Sequence, residues 1–173
     1  MQCITDKEVD EWLRARDLPK GLFYDGASAR FHLRFYTPAG HRRVDAFVRH
    51  YLEQVVPPSE LLIHVTDWSL YEQSEMIAIA GIRSNAGEIR GLVEAPGHVL
   101  SSAEKELGVA IFSLAVSFEW SSYLYSSESR SILFNWEGDV FDFWSDSEAS
   151  VRTMKELLDC FELAELGRDG ANE

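Results

Sequence analysis

The sequence predicts an α+β protein: a single mixed β-sheet of about six strands with helices packed on it, closing in a C-terminal β-meander and a last helix. Three observations predict this. Helical and strand periodicities alternate through the N-terminal two thirds. Three short strand patterns then follow one another with only turns between them. No internal repeat, low-complexity tract or Pro/Gly/Ser-rich linker interrupts residues 1–173, so they read as one globular domain with a frayed tail at 167–173.

Thr5 and Glu8 form a capping box that opens the first helix. Val9, Trp12 and Leu13 are its apolar stripe, and Leu18-Pro19-Lys20-Gly21 ends it. Residues 30–36 alternate strictly. Phe31, Leu33 and Phe35 share one face and Arg30, His32 and Arg34 the other, a strand with one buried side. After Pro38 and Gly40, residues 41–56 place Val44, Phe47, Val48, Tyr51, Leu52 and Val55 at helical spacing, up to Pro57-Pro58. Residues 61–66 read as a short strand, 72–83 as a helix, with 76–82 apolar enough for a strand as the alternative, and 89–93 as a weak strand. Ser101 and Glu104 cap a helix running to Val116.

Strands then follow at 122–125, 131–135 and 140–144. A tight turn at 135–139 uses Gly138 for positive φ. Ser145 and Glu148 open the last helix, whose buried side is Val151, Met154, Leu157, Leu158 and Phe161.

Composition narrows the function classes. The chain of 173 residues is 46% hydrophobic and 12% aromatic, enough to bury a core without metals or disulfides. Cys3 and Cys160 show no CxxC spacing. They read as reduced thiols of a cytosolic protein, with one disulfide as the alternative. The N-terminus has neither a basic nor an apolar leader region, and the longest apolar run, 108–118, is too short to span a bilayer. A cytoplasmic location with no membrane contact is expected.

The net charge is −13, against direct nucleic-acid binding. It is uneven: sixteen acids against twelve bases over 1–117, thirteen against four over 118–173. An acidic C-terminal third suits a basic partner, or serves solubility alone.

Nine of the twenty-one aromatic residues and five carboxylates lie within 118–144. Alternation puts Phe141 and Phe143 on the buried side of their strand, with Asp142 and Trp144 opposite. Trp136, Glu137 and Asp139 lie on the turn. Acids rimming aromatic anchors make a contact surface for an Arg/Lys-rich protein, and Trp136, Glu137, Asp139, Asp142 and Trp144 are its expected members. The competing reading packs Trp144 beneath the last helix.

The one basic island comprises Arg30, His32, Arg34, Arg42, Arg43, Arg49 and His50. It either binds an anion, with Arg30, His32, Arg34 and His64 lining the pocket, or pairs with the surplus carboxylates. The five histidines show no metal-binding spacing. Glycines 81, 87, 91 and 97 match neither a P-loop nor GxGxxG. No metal, cofactor or catalytic residue is expected.

In its whole-chain character, acidic, compact and without catalytic motifs, the sequence resembles the small cytosolic immunity proteins of bacterial polymorphic-toxin and contact-delivered effector systems. The resemblance implies a non-enzymatic protein that binds one cognate toxin with a cytosolic target and occludes its basic active-site cleft. The alternatives are a small enzyme or binding module for an anionic small molecule, and a self-associating structural or regulatory module.

Overall fold

A computed structural model describes residues 1–21, 29–56, 59–69 and 73–167. In chain order the elements are β1 (Gln2–Ile4), α1 (Asp6–Ala15), β2 (Phe31–Tyr36), α2 (His41–His50), β3 (Leu61–Val65), α3 (Gln73–Asn85), β4 (Gly97–Leu100), α4 (Lys105–Ser117), β5 (Ser122–Ser126), β6 (Ile132–Trp136), β7 (Val140–Ser145) and α5 (Glu148–Cys160). The seven strands form one sheet in the order β1-β4-β3-β5-β6-β7-β2.

Every pairing is antiparallel, which corrects the expected mixed sheet of about six strands. Early alternation of helix and strand suggests parallel crossovers. Here each helical connection returns its strand antiparallel to its new neighbour, and β2 goes to the far edge beside β7. The meander β5-β6-β7 and the terminal helix stand as expected.

Local chemistry fixes several boundaries. Thr5 Oγ1 accepts from the Glu8 N–H, and Glu8 Oε2 accepts from the Thr5 N–H at 2.7 Å. The Ser101/Glu104 box forms the same way. The last helix is capped two residues later than expected. Ser147 accepts from the Ser150 N–H, because Ser145 still belongs to β7. The first helix stops at Ala15, earlier than expected, where Asp17 turns the chain with φ +52°. Helix α2 continues as one π turn, Tyr51–Val55, and Pro57-Pro58 lie outside the described residues.

Two strands differ from expectation. Gln2–Ile4 is too short to show alternation, yet it forms the β1 edge. The weak strand at 89–93 is absent. Its Ile89 and Val93 are exposed, and the strand forms at Gly97–Leu100 instead.

Both sheet faces are covered, and the reading with one buried side missed this. The front face carries Phe35, Ile63, Leu124, Leu133, Phe141 and Phe143 against α2, α4 and α5. The back face carries Leu62, Tyr123, Tyr125, Ile132, Phe134 and Trp144, joined to Val9, Trp12 and Leu13 of α1. Each such large apolar side chain contributes about 1.5–3 kcal/mol on full burial.

Cys3 is buried and Cys160 exposed, and both are free thiols. Among the described residues no helix is long and apolar enough to cross a membrane.

Candidate functional site

The β6–β7 turn is built from beneath by Asn135. This fully buried side chain donates from Nδ2 to the Trp120 carbonyl at 2.8 Å and accepts at Oδ1 from the Gly138 N–H at 3.1 Å. The Asp139 N–H closes the turn on the Trp136 carbonyl at 2.9 Å, and the Asp139 carbonyl accepts from the Thr37 N–H. Glu137 and Gly138 both have positive φ, +46° and +79°. Glycine suits the second position doubly, because a Cβ there would lie 2.6 Å from the Val116 carbonyl oxygen.

Helix α4 ends against this turn. Glu119 takes φ +60°, and the Trp120 N–H donates back to the Ala115 carbonyl at 2.8 Å. Between the turn, the end of α4 and the start of α2 lies an open cleft of about 280 Å³. Glu119, Glu137 and Asp139 line it together with Tyr36 and His41. Tyr36 is 62% exposed. The partial negative charge of the α4 C-terminus adds to the carboxylates, while the N-terminal end of α2, of opposite sign, lines the same cleft. The acidic wall can receive a guanidinium or ammonium group, and Tyr36 offers the aromatic surface on which such a group packs.

Of the expected contact residues, Glu137 and Asp139 are exposed beside this cleft, and Trp136 is half-buried with its ring edge-on to Phe134. Asp142 and Trp144 are not at the surface. They are 0% and 7% exposed on the back face, and the last helix lies on the front. The reason is electrostatic and steric. Arg34 grips the Asp142 carboxylate with two hydrogen bonds of 2.8 and 2.7 Å, and His32 Nε2 lies 2.6 Å from its Oδ1. The His32 ring stacks on Trp144 at 5.1 Å. Burial alone would raise the Asp142 pKa. The hydrogen bonds from His32 and Arg34, and their charge, outweigh it and hold the carboxyl below its ordinary range.

The residues expected to line an anion pocket separate into three places. Only His32 and Arg34 converge, and both face Asp142. Arg30 pairs with Glu148 at 2.8 Å. His64 sits on β3, beyond β7, β6 and β5 from β2, with its Nε2 2.9 Å from Asp6 Oδ1. Two further members of the basic island are also used internally: Arg49 pairs with Glu106 at 2.6 Å, and Arg43 donates to the Phe161 carbonyl.

Sequence reasoning did not single out Glu119 or Tyr36. Glu119 belongs to the aromatic and acidic stretch, but its left-handed backbone has no sequence signal. Tyr36 reads as the end of an alternating strand. Among the described residues no group of three His, Cys, Asp or Glu side chains is placed to hold a metal ion.

No protein-family model, curated protein or solved structure matches the chain.

Proposed function

We propose that this chain is a non-enzymatic binding protein, an immunity-type inhibitor that occludes the basic active-site cleft of a cognate bacterial toxin with a cytosolic target. One observation carries the reading: Glu119, Glu137 and Asp139 gather around one cleft beside the exposed Tyr36 ring, on backbone that buried Asn135 and Gly138 hold in place. A rigid acidic site loses little entropy on binding and attracts a basic partner from a distance.

The contact set proposed is therefore Trp136, Glu137 and Asp139 with Glu119 and Tyr36. Asp142 and Trp144 support it indirectly, by fastening β7 to β2. Nothing comparable favours an anion-binding module, because His32 and Arg34 already face a buried carboxylate.

The test is capture from lysate of the source organism by the immobilised protein, with mass spectrometry, comparing wild type with Glu137→Lys/Asp139→Lys. The expected result is a basic protein that the wild type retains and the double variant binds at least about tenfold more weakly. The thermal midpoint should be unchanged, since both side chains are exposed. Equal retention by both forms would overturn the assignment.

A further inference from the structure

Helix α3 leaves apolar side chains on its outer face. Its buried residues are Glu75, Ile79 and Arg83, while Met76 and Ile77 are 49% and 72% exposed. Arg83 is held inside by the carbonyls of Ala95, Arg90 and Gly91, with His98 beside it. The helix buries two charged groups beside Ile79 yet leaves Met76 and Ile77 outward, where a solvated surface helix carries polar residues. The outer face comprises Gln73, Met76, Ile77, Ala80, Gly81 and Ser84, all exposed and spaced by three and four residues.

We propose that this face seats a second copy of the chain, as an antiparallel α3–α3 pair about a two-fold axis. Three observations select that occupant. First, the face is self-complementary. A two-fold level with the 78–79 peptide sets Met76 of one copy against Gly81 of the other, Ile77 against Ala80, and Gln73 against Ser84. Bulky side chains thus meet small ones and polar ends meet polar ends, as an isologous contact requires. Second, no described residue packs so closely that position 81 must be glycine: a Cβ there would meet nothing within 4 Å among the described residues. Glycine inside a helix costs about 1 kcal/mol relative to alanine, and close approach of another backbone accounts for it. Third, the only charged residues of α3, Glu75 and Arg83, are buried, so its outer face is uncharged in a chain of net charge −13. Two such acidic chains meet most readily where neither presents charge, whereas a basic partner or an anionic lipid surface would find nothing to pair with.

The contact is distinct from the acidic cleft. Arg83 of α3 lies against His98 of β4, and β3, β5 and β6 separate that strand from β7.

Sedimentation equilibrium of the full chain over a wide concentration range tests the proposal. Wild type should show a reversible monomer–dimer equilibrium. Ile77→Glu and, separately, Gly81→Leu should each weaken it at least about tenfold. Both variants should keep the wild-type circular dichroism spectrum, since neither site packs inside the protomer. A wild type that stays monomeric at every concentration overturns the proposal, as does a dimer indifferent to both variants. A dimer lost instead on Glu137→Lys/Asp139→Lys would move the interface to the acidic cleft and also overturn it. Flotation of wild type, but not of Ile77→Glu, with neutral phosphatidylcholine vesicles, together with a monomer in solution, would assign the face to a lipid surface and refute the dimer.

Discussion

His98 shows how a single enclosed side chain sets a property of the whole. It is fully buried on β4, with Nδ1 3.4 Å from the Ile63 carbonyl and Nε2 3.4 Å from the Arg83 guanidinium. Those partners assign the neutral tautomer: Nδ1–H donates to the carbonyl, and Nε2 accepts from Arg83. Burial first, and the Arg83 charge second, push its pKa down to about 4. The unfolded chain holds the same group near its ordinary value of about 6.5. As pH falls below that value the unfolded state gains the proton first. Stability that is complete above it is lost as pH falls toward the folded pKa. The loss for His98 between pH 7 and pH 5 is about 2 kcal/mol. Burial also lowers the His64 pKa against the opposing pull of Asp6, so it adds to the slope with the same sign. Urea titrations at both pH values should show the wild type losing stability on acidification. His98→Asn should be weaker at pH 7 yet lose clearly less of its stability at pH 5. A variant with the wild-type slope would place the titrating group elsewhere.

At the scale of elements, the β6–β7 turn and the end of α4 form one unit. Gly138→Ala sets a Cβ on a backbone with φ +79° and 2.6 Å from the Val116 carbonyl oxygen, so strain and overlap add. The expected cost is about 1–3 kcal/mol in thermal or denaturant unfolding, and partner binding should weaken with it because Glu137 moves. Unchanged stability would mean that the turn is not docked on α4. This unit also marks how far the sequence is legible. Alternation placed β2 and β7, a short strand pattern between turns placed β6, turn chemistry placed Gly138, and the capping boxes at Thr5 and Ser101 placed two helix starts. Each of those signals is local. Burial of Asp142 was not legible, because it depends on Arg34 and His32 arriving from a strand more than a hundred residues earlier. Covering both sheet faces erases the inside–outside contrast that alternation reports, so the sequence left Trp144 open between a surface contact and burial beneath the last helix; it is buried, on the face that α1 covers. The exposed apolar face of α3 was equally hidden: residues 76–82 are apolar whichever side faces the core.

For the whole molecule, the net charge of −13 gives the two proposed contacts opposite responses to salt. The acidic cleft attracts a basic partner through a long-range field, and salt shortens that field from a reach of about 10 Å at 0.1 M to about 3 Å at 1 M. Association of the captured partner, followed by stopped flow, should slow by about tenfold or more from low to high salt, while dissociation changes less. The α3 pair brings two like-charged bodies together through an uncharged face, so the charge elsewhere on each copy opposes it. Screening that repulsion should tighten the dimer, and sedimentation equilibrium at rising salt should show a growing dimer fraction at fixed protein concentration. Salts that strengthen apolar burial, sulfate above chloride, should act further in the same direction. Ile77→Glu sets like charges against each other at the contact, so its weaker dimer should gain at least as steeply from salt. A dimer that weakens with salt would instead require attraction between unlike charges, which the outer face of α3 does not carry, and would direct the search for its interface toward the mixed charges of α2 and the acids of the cleft.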